Sequence, residues 1–198
     1  MKQLSCLPIL FVVLSFQAIG QQTVHKKLNQ LMLEESFSEL NNLWPVLTND
    51  DNFFVFDEGE YFMNRTKAES PYAVMSAWEN DLTSFSVRTS LMLGPVEKTN
   101  QSLGLIIRAS NSGQSAIICE INKFHRFRIR QLIEGNYVTL TSEGKDGWVK
   151  NSVVKGVNEY NDLNIKTNGT DHDLYINGIL VHSFRIEGLE AGSFGLFI

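Results

Sequence analysis

Glycine spacing does most to limit what this chain can fold into. From Gly59 onward glycine recurs at positions 94, 104, 113, 135, 144, 147, 156, 169, 178, 188, 192 and 195, with many gaps near nine or ten residues. That is the spacing of short strands joined by turns. The intervening runs are β-branched, aromatic and aliphatic: Asn52 to Phe56, Phe85 to Leu91, Leu103 to Ile107 and Tyr137 to Leu140. The clearest hairpin is Leu174 to Val181, where Asn177-Gly178 supplies the positive φ angles of a type I′ turn. Glu134-Gly135-Asn136 predicts a second, slightly longer hairpin. No strand–helix alternation and no Gly-rich nucleotide loop is present, which excludes Rossmann and P-loop readings. No motif repeats at a fixed period, against propellers and solenoids. One segment reads differently. Val24, Leu28 and Leu31 fall at helical spacing, in a stretch without Gly or Pro until Pro45. This predicts a short N-terminal helix, although Glu35-Ser36-Phe37 could equally be an opening strand.

Composition decides whether such strands can bury a core. Of 198 residues, 43% are hydrophobic and 20% charged, which suits a folded domain and not a disordered chain. Basic residues number 17 against 22 acidic, a formal charge of −5 that argues against nucleic acid as partner. No run of 18 apolar residues lies in the body of the chain, so no internal membrane span is expected. Residues 1–20 read as a secretory leader. Lys2 precedes an uncharged apolar stretch from Leu7 to Phe16, and Ala18 and Gly20 are the small residues before a cut at Gln21. The expected layout is leader 1–20, an N-terminal segment 21–35 and a sandwich domain 36–198. Losing the leader removes Cys6 and leaves Cys119 alone, so the exported domain is expected to stand without an intrachain disulfide. Cys119 sits in the apolar run Ala116 to Ile121, where a packed, inert thiol is expected.

The order of these motifs carries a family resemblance. Phe37 is followed by Leu43-Trp44-Pro45, then Glu58-Gly59-Glu60-Tyr61, the alternating Phe85-Ser86-Val87-Arg88-Thr89 and Leu103 to Arg108. Phe127-Arg128-Ile129, Tyr137-Val138 and Gly147-Trp148 come next. The series closes with Asn161 to Ile165, Leu174 to Gly178 and Gly192 to Leu196. Over Ser36 to Ile198 this resembles the concanavalin A-like lectin/glucanase jelly roll, an all-β fold. It is most similar to the laminin-G-like and glycosidase-16-like keto-disaccharide hydrolase modules of exported bacterial proteins. The resemblance implies a two-sheet antiparallel sandwich with one concave sheet. Such domains usually add a strand after the Gly-x-x-Gly-Leu strand, here expected to be missing or supplied by the N-terminal segment.

Chemistry is harder to find. The glucanases of that group carry Glu-x-Asp-x-x-Glu on a strand, so that two carboxylates stand about 5–5.5 Å apart. The motif is absent here. Glu58-Gly59-Glu60 and Asp171-His172-Asp173 have i, i+2 spacing, and both read as solvated charges at turns or strand ends. Asp171, His172 and Asp173 could contribute to a calcium site, and no other cofactor is expected. No zinc pair of histidines and no Gly-x-Ser-x-Gly elbow is present.

The most distinctive local feature is Lys123 to Arg130. On a strand, Arg126, Arg128 and Arg130 line one face and His125, Phe127 and Ile129 the other. One reading is a solvent-facing surface whose arginines pair with acidic neighbours on adjacent strands. The other is a groove that grips carboxylate or sulfate groups through bidentate contacts. Aromatic side chains supply the second half of a sugar platform, because sugar C–H faces stack on them. Trp78, Tyr72, Tyr137 and Trp148 fall at turns or strand ends, while Trp44 and Tyr61 read as core. The expected site is therefore Arg126, Arg128, Arg130, Tyr137, Trp148 and Trp78. The expected function is a secreted, periplasmic or cell-surface glycan-binding module without catalysis, its glycan acidic where the arginine face is open. The alternatives are a keto-disaccharide-type hydrolase and a surface interaction domain without a small ligand.

Overall fold

The computed structural model describes residues 19–20, 30–66, 71–78, 82–95, 101–141, 146–189 and 191–198. The leader through residue 18 and most of the helical stretch expected from Val24 lie outside them. In chain order the strands are β1 (Ile19–Gly20), β2 (Gln30–Leu31), β3 (Leu47–Thr48), β4 (Asn52–Asp57), β5 (Glu60–Arg65), β6 (Ala73–Met75), β7 (Ser84–Met92) and β8 (Ser102–Ala109). They continue as β9 (Ser115–Asn122), β10 (Arg126–Ile133), β11 (Asn136–Thr139), β12 (Val149–Lys150), β13 (Tyr160–Asn168), β14 (Asp171–Ile176), β15 (Ile179–Arg185) and β16 (Ser193–Phe197). One antiparallel sheet runs β15-β14-β13-β7-β1-β2. The other runs β11-β10-β9-β8-β16-β6, with β12 also paired to β10, and β3-β4-β5 form a small third sheet.

Alternation explains the first sheet. In β7, Phe85, Val87, Thr89 and Leu91 are buried, while Ser84, Ser86, Arg88, Ser90 and Met92 face the other way. β13 repeats this with Leu163 and Ile165, and β14 with Leu174 and Ile176. These side chains meet Leu103, Leu105, Ile107, Ile117, Cys119, Ile121, Phe127, Ile129, Phe194 and Leu196 from the second sheet in one apolar core. Each fully buried Leu, Ile or Phe contributes roughly 1.5–3 kcal/mol from removed apolar surface.

β8 and β9 do not alternate, because both of their faces are covered. Every residue from Ser102 to Ala109 is buried. On the face away from the core, Ile106, Ala109, Ala116, Ile118 and Phe197 form a second apolar cluster, flanked by Met75 and Leu132. A strand buried on two sides reads as a continuous apolar run, which is the pattern of Leu103 to Ile107 and Ala116 to Ile121.

Three hairpins share one device, a non-glycine residue followed by glycine, both at positive φ. They are Glu58-Gly59 (48° and 81°), Glu134-Gly135 (50° and 79°) and Asn177-Gly178 (51° and 81°). The second is shorter than the sequence suggests, since Asn136 already pairs with Ile133.

The helix expected near the N-terminus is not formed over residues 30–43, which hold only β2 and irregular chain. Residues 35–37 are likewise not a strand. Tertiary burial decides this segment. Phe37 turns to φ 54° and stacks on Tyr61 at 5.7 Å, with Trp44 at 5.9 Å. The Glu35 carboxylate accepts the Phe37 backbone N–H at 2.8 Å and the Asn41 amide at 2.6 Å, fixing the bend.

Asp171-His172-Asp173 is split by the strand it opens. Asp171 pairs outward with Arg185 at 3.0 Å and Asp173 accepts the Ser183 hydroxyl at 2.6 Å. His172 points inward, 2% exposed and stacked on Phe184 at 4.9 Å. Its Nδ1–H donates to the Thr170 carbonyl, leaving Nε2 buried. Burial, aided by the Arg108 charge, lowers its pKa to about 4. The unfolded imidazole titrates near 6.5, so the folded state resists protonation and loses stability as pH falls from 6.5 toward 4. That loss should reach about 2–3 kcal/mol, from roughly 1.4 kcal/mol per pKa unit. Urea unfolding at pH 7.5 and 4.5 should show this extra fall in the parent and not in His172→Asn; equal falls in both would refute it.

Candidate functional site

The outer face of the second sheet can be read in rows from its strand registers. In one row Lys150, Arg126, Asn122 and Ser102 lie side by side on β12, β10, β9 and β8. In the next, Arg128, Glu120, Gly104 and Phe197 follow on β10, β9, β8 and β16. Trp148, two residues before Lys150, stacks on Arg128 with the guanidinium carbon 4.3 Å from its ring centre. The third row holds Thr139, Arg130, Ile118 and Ile106. The expected alternation of the three arginines holds, and their core-facing neighbours Phe127 and Ile129 are buried.

Glu120 organises this face. It is 0% exposed, a position no carboxylate holds without partners. One oxygen accepts from Arg128 Nε at 2.9 Å and Arg130 Nε at 2.5 Å, and the other accepts the Ser102 hydroxyl at 2.6 Å. Gly104 stands opposite. A Cβ there would lie 2.3 Å from the Cys119 carbonyl oxygen and 2.9 Å from Glu120 Cβ, so a larger residue would push the carboxylate out of place. Arg130 is held between two rings, 4.2 Å from the Tyr137 centre and 5.0 Å from that of Phe197.

Two of the three arginines follow the first reading of this strand. Arg128 and Arg130 pair with an acidic neighbour on the next strand, while Arg126 is in none of the ion pairs among the described residues. The exposed part of the site is its margin along β11 and β12: Tyr137 is 45% exposed, Arg126 and Lys150 are exposed, and Arg128 and Trp148 are partly so. Trp78 lies apart. It follows β6, at the opposite edge of the sheet from β11, and stacks on the core residue Phe194 at 5.3 Å.

The other candidates are placed as follows. Glu60 accepts the Tyr160 hydroxyl at 2.6 Å beside the Glu58-Gly59 turn, away from Glu120. Among the described residues no three His, Cys, Asp or Glu side chains come together as a metal site. Cys119 is buried, and burial with the adjacent Glu120 pushes its thiol pKa up. Sequence reasoning missed Glu120, Ser102 and Lys150. The signal for Glu120 was a lone charge between Cys119 and Ile121 in an apolar strand. Lys150 could be found only by knowing which strand pairs with β10.

Two antiparallel sheets packed face to face make an all-β sandwich of the jelly-roll type. Solved structures resemble this fold to different degrees. The carbohydrate binding module CBM66 from Bacillus subtilis superposes with TM-score 0.57 at 14% identity, over 80% of this chain and 84% of its own. The catalytic domain of an endo-1,3-beta-glucanase (laminarinase) from Thermotoga petrophila gives 0.49 at 13%, over 85% and 84%. Sheep galectin-11 gives 0.46 at 10%, over 66% and 91%. No family model and no curated protein sequence matches the chain.

Proposed function

We propose that this protein is an exported, non-catalytic glycan-binding module whose ligand lies along the β11–β12 margin. The observation that carries the reading is the pair of aromatic–arginine stacks, Trp148 on Arg128 and Tyr137 on Arg130, both arginines fixed by buried Glu120. A ring with a guanidinium over one face can offer a sugar its other face as an apolar C–H platform, with guanidinium N–H donors at the edge of the stack. Fixing both in advance reduces the entropy lost on binding. Fold alone does not set function, so the likeness to a carbohydrate binding module is secondary to these side chains. Glu120 already holds two guanidinium groups and has no second carboxylate beside it in the rows, which supports binding over hydrolysis. Export rests on the leader pattern of residues 1–20.

The test is a glycan array with the mature protein, followed by Trp148→Ala against the strongest ligand. The expected result is affinity at least about tenfold weaker, since stacked aromatic contacts are commonly binding hot spots, with an unchanged melting temperature. Unchanged affinity in both Trp148→Ala and Tyr137→Ala would refute the proposal.

A further inference from the structure

We propose that Arg126 and Lys150 form a subsite for an anionic substituent, a carboxylate or a sulfate, on the bound glycan. The inference rests on the glycan-binding reading and adds a ligand class to it. Arg126 and Lys150 are direct partners in the β10–β12 register, so their side chains leave the same face side by side. Both are exposed. Like charges directly opposite one another on neighbouring strands repel. None of the ion pairs among the described residues includes either of them.

Glu120, the acidic side chain in these rows, is already engaged, one oxygen by Arg128 and Arg130 and the other by Ser102. Arg128 stands in the next row and donates to the Asp146 backbone carbonyl at 3.1 Å. Four cations, Arg126, Arg128, Arg130 and Lys150, thus share these rows with one carboxylate, Glu120, among the described residues, in a chain whose formal charge is −5. A local positive excess on an acidic protein attracts anions to that place and repels them elsewhere. Arg126 offers a planar fork suited to a carboxylate or sulfate, and Lys150 a point charge beside it. The adjacent Trp148 ties this pair to the sugar-stacking surface.

The experiment measures binding of the mature protein to polygalacturonate, dextran sulfate, neutral dextran and single-stranded DNA at two salt concentrations. The variants are Arg126→Gln, Lys150→Gln and, as control, Lys166→Gln on the outward face of the other sheet. The parent is expected to prefer one of the two acidic polysaccharides, and which one identifies the anion. Arg126→Gln and Lys150→Gln should each weaken that binding about tenfold, as loss of a charge-assisted contact does. Added salt should weaken it in the parent, and Lys166→Gln should match the parent. Equal loss in Lys166→Gln, or equal binding of DNA, would overturn the subsite by showing a diffuse charge effect. Unchanged binding in Arg126→Gln and Lys150→Gln, with loss in Trp148→Ala, would overturn the subsite and leave the platform standing. Failure of the parent to bind any of the polysaccharides would overturn the subsite; whether the glycan-binding reading falls with it is read separately from the array.

Discussion

Glu120→Ala should lower folding stability by about 3–5 kcal/mol, the usual cost of breaking a buried ion pair from one side. The carboxylate is fully buried and receives both Arg128 and Arg130. Without it, the Arg130 guanidinium stays enclosed between Tyr137 and Phe197 with no counter-charge. The Ser102 hydroxyl loses its acceptor as well. Glu120→Gln should fall in between, because an amide oxygen can accept one arginine but carries no charge. A double replacement, Glu120→Leu with Arg130→Met, should recover much of the loss, since an apolar pair removes the uncompensated charge. It should also abolish glycan binding even where folding recovers. Guanidinium unfolding of the three variants checks the series. A loss below about 1 kcal/mol in Glu120→Ala would mean that the arginines are stabilised by solvent and not by the carboxylate.

Arg108→Ala should be comparably damaging, for a different reason. Arg108 is 1% exposed and its guanidinium binds three backbone carbonyls: Leu189, Thr83 at 2.8 Å and Gly169 at 2.6 Å. These lie after β15, before β7 and in the β13–β14 turn, so one side chain ties three separate segments together. Hydrogen bonds from a charged donor are worth about 1.5–3 kcal/mol each, and orphaned buried carbonyls add cost. With non-additivity, a total of about 3–5 kcal/mol is expected, together with a cavity term. Arg108 also sits at φ 54°, a conformation that costs arginine and alanine alike and glycine little. Arg108→Gly relieves that strain and should therefore lose about 1 kcal/mol less than Arg108→Ala; near-parental stability of Arg108→Ala would show that the three carbonyl contacts matter little. Arg108→Lys keeps the charge but cannot reach three carbonyls with one planar fork, and should recover only part.

Local chemistry was legible wherever it acts over short range. Asn177-Gly178 announced its turn because few other pairs accept two positive φ angles in succession. The strand face of Arg126, Arg128 and Arg130 followed from alternation, as did the inward Phe127 and Ile129. The apolar runs of β8 and β9 gave strands without saying that both faces were covered. Helical spacing at Val24, Leu28 and Leu31 misled over the described residues 30–43, where Phe37 gains more from the aromatic nest with Trp44 and Tyr61 than a short helix returns.

By itself, then, the sequence determined an all-β chain built of short antiparallel strands, the turns that join many of them, and an arginine-bearing strand in an acidic protein. Only the tertiary structure decided what those arginines do. Glu120 lies eight residues from Arg128 and ten from Arg130, and becomes their shared partner through the β9–β10 register. Trp148 and Lys150 join the same face because β12 pairs with β10 across more than twenty residues of chain. Trp78, alike in composition and context, is carried to the far edge of the sheet. Side-chain type and period are local properties, whereas the neighbour across a strand is set by register, which the whole fold fixes.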